Sequence, residues 1–175
     1  MPQIRTATLE GRPHLVAPVT MLTTGVHEGS AGAVLYTPAE LAASAPHWNS
    51  RPVVVYHPDQ WGSPSAGHPR IFDGRKVGFV FNTRFDASRN RLVAELWIDP
   101  TALERVDSRV LTALNHGMQV EVSTGLWFDS DDIPGSFNGA HFDGTVSNYK
   151  PDHLAILPDI TGACSIAAGC GLLAA

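Results

Sequence analysis

Lysine is almost missing from this chain: Lys76 and Lys150 are the only two, and the arginines that supply the remaining positive charge are scattered. With a net charge of −5 and no basic cluster, the composition argues against a nucleic-acid surface as the main business of the protein. Long apolar runs are missing too. No stretch approaches the roughly 20 apolar residues of a membrane helix. The opening segment MPQIRTATLEGRPHLVAPVT holds no apolar core of signal-peptide length. A cytosolic protein is therefore expected, with no membrane partner. Cysteine is limited to Cys164 and Cys170, both in the tail GACSIAAGCGLLAA. Their spacing matches no standard zinc pattern, so they read as free thiols without a role.

What the chain does have is enough apolar material for a core. Hydrophobic residues make up 43% of 175 positions and charged residues 17%, the balance of one globular domain rather than a disordered segment. Strand-like runs dominate: Leu15 to Leu22, Ala33 to Tyr36, Val53 to Tyr56, Val77 to Phe85, Leu92 to Ile98, Gln119 to Leu126 and Leu154 to Leu157. The polar DASRNR between Phe85 and Leu92 predicts a hairpin. In RLVAELWID, alternation puts Leu92, Ala94 and Leu96 on one face. Two helices announce their starts. Thr37-Pro38-Ala39-Glu40 reads as a capping box with Pro at the first helical position, and Asp99-Pro100 opens a second helix. The second should end at Asn115-His116-Gly117, with a break in VDSRV where Asp107 caps a new segment.

Two stretches read as long loops, Pro58 to Gly74 and Asp129 to Gly144. Loops of that length in a compact domain are usually functional or disordered, and their positions favour substrate-binding rims. Each follows a residue with chemical potential. Ser123, in QVEVSTG, shares its strand face with Gln119 and Glu121, away from Val120 and Val122, and precedes Gly125, where a ligand can approach the backbone. His57 closes the apolar run VVVY and precedes Pro58. His153 opens HLAIL. A serine with two histidines supplies a nucleophile, a base and an orienter, and needs no metal or other cofactor to cleave an amide. His153 is a weaker orienter than a carboxylate because imidazole is mostly uncharged at neutral pH. Asp152 competes for that third place, but strand alternation points it to the opposite face. The bland reading of each residue, a serine or histidine satisfied by backbone, stands beside the chemical one.

Metal chemistry is the rival use of the histidines, with His57, His68, His141 and His153 joined by Asp59 or Asp143. No ligand motif such as H-E-x-x-H supports it. His14, His27, His47, His116 and His141 read as surface or cap positions, and Trp48, Trp97 and Trp127 as packing. Trp61, just after His57, is the tryptophan placed for a substrate contact.

The blocks YTPAEL…WNSRPVVVYHP, KVGFVFNTRFD…RLVAELWID, MQVEVSTG and YKPDHLAILPDITGACS, in that order, resemble the prohead (capsid maturation) serine proteases of tailed phages, relatives of the herpesvirus assemblins. The resemblance spans about Gly25 to Ser165. It implies an α+β, mainly β fold: a partly open antiparallel β-barrel with a few flanking helices. It places Ser123 as nucleophile, His57 as acid/base and His153 as third member. Assemblin-like enzymes also use an arginine after the last strand to hold the oxyanion. Here ILPDITGACS has none, which leaves backbone N–H groups near Ser123 and Thr124 as the expected donors. The implied function is an endopeptidase that trims scaffold and major capsid proteins, and itself, inside the immature head in the bacterial cytoplasm, with self-association. An inactive head-assembly module is the alternative. Residues 1–160 are then the catalytic domain, and residues 161–175 a flexible small-residue tail that serves as a processing or linker segment.

Overall fold

The computed structural model describes residues 4–174. Strands make up most of the regular structure. β1 (Arg5–Leu9), β2 (Arg12–Thr23), β3 (Gly25–Gly29), β4 (Gly32–Tyr36), β5 (Pro52–Val55), β6 (Lys76–Asp86), β7 (Arg91–Ile98) and β11 (Gly144–Leu157) form a sheet ordered β1-β2-β7-β6-β5-β11-β4-β3. Off this path, β8 (Glu121–Ser130) pairs with β11, and the two-residue β12 (Gly171–Leu172) pairs with β2. The predicted β6–β7 hairpin forms, with Asp86 opposite Arg91. Leu92, Ala94 and Leu96 are buried as the alternation required.

The mainly β, α+β expectation holds, but the barrel needs two corrections. The sheet is not antiparallel throughout, because β11 runs parallel to both β5 and β4. The sheet also does not close into a barrel. β8 and β2 stay unpaired with one another, and β12 lies in the seam between them. It pairs Gly171 with Thr20 and Leu172 with Val19, and makes one bridge from Leu172 to Val120 just ahead of β8.

That placement also corrects the tail. The segment with a flexible composition is folded: Cys170 and Leu172 are fully buried, and Leu173 and Ala174 nearly so. Small side chains here allow close packing against β2 rather than freedom. The thiols are not free either. Cys164 and Cys170 are joined in a disulfide, which closes the loop leading to β12.

The helices follow their caps. α1 (Pro38–Ser44) starts at Thr37, whose hydroxyl accepts from the Glu40 N–H at 3.4 Å. Glu40 does not complete the box; its carboxylate accepts the Asn148 N–H of β11 at 2.9 Å and ties the helix to the sheet. α3 (Pro100–Asn115) is capped by Asp99, which accepts from Thr101 and Ala102. It breaks at Asp107, where ψ is 99°, and that carboxylate accepts the Arg109 N–H to restart the helix. Leu103, Val110 and Leu114 supply its buried stripe. Both long loops hold more structure than expected. Residues 58–74 contain a 3-10 turn at Pro58–Trp61 and most of α2 (Pro69–Arg75), and residues 129–144 contain the hairpin of β9 (Gly135–Phe137) and β10 (Ala140–Phe142).

Among the described residues no helix is long and apolar enough to cross a membrane.

Candidate active site

Three neighbouring segments carry the predicted residues to one place. β11 lies between β5 and β8, so the end of β5 and the middle of β8 flank residues 153–156 from opposite sides. After Val55 the chain turns at Tyr56, a non-glycine residue in the left-handed region with φ 64°. Its N–H is held by the Ile156 carbonyl at 3.0 Å, and its hydroxyl donates to Asp159 at 2.6 Å while accepting from Arg109 at 2.8 Å. Such a conformation costs of order 1 kcal/mol or more and persists only when its surroundings over-determine it. Here it aims the next residue, His57, at β11.

His57 and His153 meet directly: Nδ1 of His57 lies 2.8 Å from Nε2 of His153. The other nitrogen of His153, Nδ1, is 2.6 Å from the Asp152 carboxylate. Adjacent residues of a regular strand point to opposite faces, and the expectation that Asp152 faces away fails for an identifiable reason. The β11–β8 register slips between Pro151, opposite Leu126, and His153, opposite Gly125. Asp152 is the extra residue of a β-bulge, a device that redirects side chains beside functional sites. The redirected carboxylate is enclosed. Ser65 Oγ donates to it at 2.6 Å and the Ala66 N–H at 2.9 Å, both from the loop after β5.

The Asp152 contact sets the direction of the hydrogen bonds along the chain. Burial pushes the Asp152 carboxyl up, but hydrogen bonds from His153, Ser65 and Ala66 outweigh it and hold it below the usual carboxylate range. An ionised carboxylate only accepts, so Nδ1 of His153 carries a proton. In this Nδ1–H tautomer the Nε2 of His153 accepts, and Nδ1 of His57 donates. What remains is Nε2 of His57, a bare lone pair. Burial is the main reason the His57 pKa falls, to about 4, with neighbouring His153 lowering it further and Asp59 opposing. His57 is thus held neutral at physiological pH, the form a general base requires.

Both histidines and Ser123 line a cleft of about 490 Å³ that opens at the sheet seam. Its far wall is the β3–β4 hairpin, and its floor runs to the disulfide loop at Ile160 to Cys164. Among the described residues the Ser123 hydroxyl has no hydrogen-bond partner, so it is free toward the cleft. Thr124 adds a donor. Val120 directs both its N–H and its carbonyl to Leu172, away from β11. Alternation then turns the Thr124 N–H to that same open edge, next to Ser123.

Gly125 has a different task from the one its sequence context implied. A Cβ there would overlap the imidazole of His153, so the glycine makes room for the ring rather than for a ligand. Glu121 steadies the same strand from its other end, accepting the N–H groups of Gly162 at 3.3 Å and Ile166 at 3.0 Å.

Other expectations come out differently. The Trp61 ring is covered by the Arg75 guanidinium, 3.3 Å from its centroid, and does not line the cleft, whereas half-exposed Trp127 does. Trp48 is core. His14 and His27 are buried rather than on the surface, and His27 contacts the Thr23 carbonyl at 2.9 Å. His116 meets the Thr112 carbonyl in the last turn of α3, as its cap position implied. The rival metal set is not gathered: His68 accepts the Arg70 N–H at the start of α2, and His141 sits beside Asp143. Among the described residues no cluster of three or more His, Cys, Asp or Glu is arranged to hold a metal. An arginine does stand near, but Arg109 is committed to Asp107, Asp159 and Tyr56 and lies outside the cleft. Sequence reading missed Ser65 and Ala66; the signal was S-P-S-A-G, a serine-rich turn following the histidine.

No family model matches the chain, and neither a curated protein nor a solved structure matches it.

Proposed function

We propose that the protein is a serine endopeptidase, with Ser123 as nucleophile, His57 as general acid/base and His153 as the residue that orients His57. One observation carries this: the hydrogen-bond chain from Asp152 through His153 ends at a bare His57 nitrogen in the same cleft as an unengaged serine hydroxyl. In the reaction Ser123 Oγ attacks the amide carbon while its proton passes to His57 Nε2. The carbonyl oxygen becomes the oxyanion, for which the Thr124 N–H is the candidate donor. His57 returns the proton to the leaving amine, and water activated by His57 then releases the acyl group. Apo active sites often show the nucleophile–base contact unformed, so the free Ser123 hydroxyl fits this scheme.

The order of sequence blocks supports a narrower reading, a phage prohead protease that acts on scaffold and major capsid proteins inside the immature head. The mainly β fold is in keeping with that reading. The same free hydroxyl is also what an inactive assembly module with this fold would present.

The deciding experiment incubates wild type, Ser123→Ala and His57→Ala with phage scaffold and major capsid proteins, and reads the products by mass spectrometry. Discrete fragments that vanish in both variants support the peptidase. Identical fragments in all three remove these residues from the chemistry. If nothing is cut, a fluorophosphonate probe that labels Ser123 in wild type retains the enzyme, and one that does not leaves the assembly module.

A further inference from the structure

We infer that Asp152 is a positioning residue of this site: anchored by Ser65 and Ala66, it holds His153 in the Nδ1–H tautomer and through it keeps His57 Nε2 as a proton acceptor. The use of that acceptor rests on the peptidase reading; the tautomer assignment does not.

Several independent features converge on this carboxylate. Its side chain is 11% exposed and that of His153 is 5% exposed, so their contact is shielded from water. It receives three donors, His153 Nδ1, Ser65 Oγ and the Ala66 N–H. The loop that supplies two of them is braced for the purpose. Ser63 Oγ donates to the Ser65 carbonyl at 2.9 Å, Ser65 Oγ accepts the Gly67 N–H at 3.0 Å, and Ala66 is fully buried. The bulge exists at Asp152 and turns it toward its own neighbour. A loop anchor alone would need the bonds to Ser65 and Ala66, but not a 2.6 Å contact to the ring that contacts His57.

The chemical consequence is a charge that the two histidines lack. When His57 takes the Ser123 proton it becomes an imidazolium and donates from Nδ1 to His153. His153 in the Nδ1–H tautomer offers only a dipole. The Asp152 carboxylate on its far side provides the negative charge, and no proton travels along the chain. Without the carboxylate, His153 is free to carry its proton on Nε2. That nitrogen then donates to His57 Nδ1, and the His57 proton is left on Nε2, where a base needs a lone pair. The charged and titratable groups around the pair are Asp152 from β11, Asp59 from the loop after His57, and His27 and Glu28 across the cleft. β8 contributes none between Val122 and Phe128.

The test is long-range proton–nitrogen NMR on protein labelled with ¹⁵N-histidine, for wild type, Asp152→Ala, Asp152→Asn and Ser65→Ala. Wild type should show His153 and His57 both protonated at Nδ1 and bare at Nε2 near neutral pH. Asp152→Ala should move His153 toward the Nε2–H tautomer, and the rate of Ser123 labelling should fall roughly 10²- to 10⁴-fold, as for loss of a triad carboxylate. Asp152→Asn and Ser65→Ala should fall between the two. Wild-type His153 protonated at Nε2, or tautomers unchanged in Asp152→Ala, overturns the inference. Should the alanine variant not fold, the wild-type spectrum decides alone. The predicted tautomers with an unlabelled Ser123 keep the inference and sink the peptidase reading. A labelled Ser123 with unmoved tautomers does the reverse.

Discussion

The imidazole of His153 occupies the space that a side chain on Gly125 would need. The two residues face one another across the β8–β11 ladder, so the strand that carries the serine also sets the position of the histidine pair. Gly125→Ala should therefore push His153 off its contacts with His57 and Asp152 while the rest of the sheet keeps its register. A displacement of about 1 Å at such a site costs on the order of 10²-fold in rate. Ser123 labelling by a fluorophosphonate should drop by that amount with the far-ultraviolet circular dichroism unchanged. A variant labelled at the wild-type rate would show that the ring has another place to go.

The disulfide is a second lever on the same cleft. Cys164 lines it, and the pair Cys164–Cys170 closes a short loop that leads into β12. Loop-closure entropy for so short a ring amounts to about 2 kcal/mol. Reduction by a dithiol, or the double substitution Cys164→Ser with Cys170→Ser, should lower the urea midpoint accordingly. Equal midpoints with and without reductant would show that the bridge contributes nothing.

Acid should destabilise the fold in a definite window. The folded pKa of His57 is lowered from 6.5 to about 4, chiefly by burial, and burial also lowers that of His27. Between these values the unfolded chain binds protons that the folded one refuses. Stability is thus complete above about pH 6.5 and declines as pH falls toward 4; the full His57 contribution is on the order of 3 kcal/mol. Below that, protonation of the carboxylates with lowered pKa, Asp152 among them, continues the loss. Urea unfolding at pH 7 and pH 4.5 measures the first step, and His57→Gln should flatten it. A midpoint independent of pH over that range would refute the assignment.

Charge in the cleft predicts a substrate bias. Glu28, Asp59 and Asp152 line it, and among the described residues no lysine or arginine does. Peptides with basic residues flanking the cleaved bond should react faster than acidic counterparts, and added salt should narrow the difference. Competition cleavage of matched Lys- and Glu-flanked peptides gives the ratio directly. A preference for the acidic series would mean that another surface sets selection.

The site was legible where chemistry sits at the ends of apolar strands and illegible where geometry departs from regular alternation. His57, Ser123 and His153 each terminate or interrupt such a run, and the sheet brings all three together. Asp152 was read onto the wrong face because a two-residue period has no way to register an extra residue, and only the pairing with β8 reveals the bulge. The tail misled for a similar reason: Ala and Gly have no strong pattern, and their burial depends on a partner, β2, distant in the chain. Other features left a trace. Asn138-Gly139, with φ of 49° and 82°, is the dipeptide of a tight hairpin turn inside the segment read as loop. The cysteine pair left none, since spacing alone does not say which thiols meet. β11 was longer than its apolar part because its first half, GTVSNYK, lies against β4 and β8 with Asn148 and Lys150 exposed between buried residues.

The seam strand also imposes an order in time. Thr20 donates its hydroxyl to the carbonyl of Ala174, 154 residues away, and Leu172 is the residue that bridges to Val120. Contacts this distant in sequence form late during folding. A ribosome adding about 5–20 residues per second needs roughly 2–10 seconds to pass from the serine to the seam strand. Until then the disulfide loop, which meets the cleft at Cys164, has no strand to lead into beside β2.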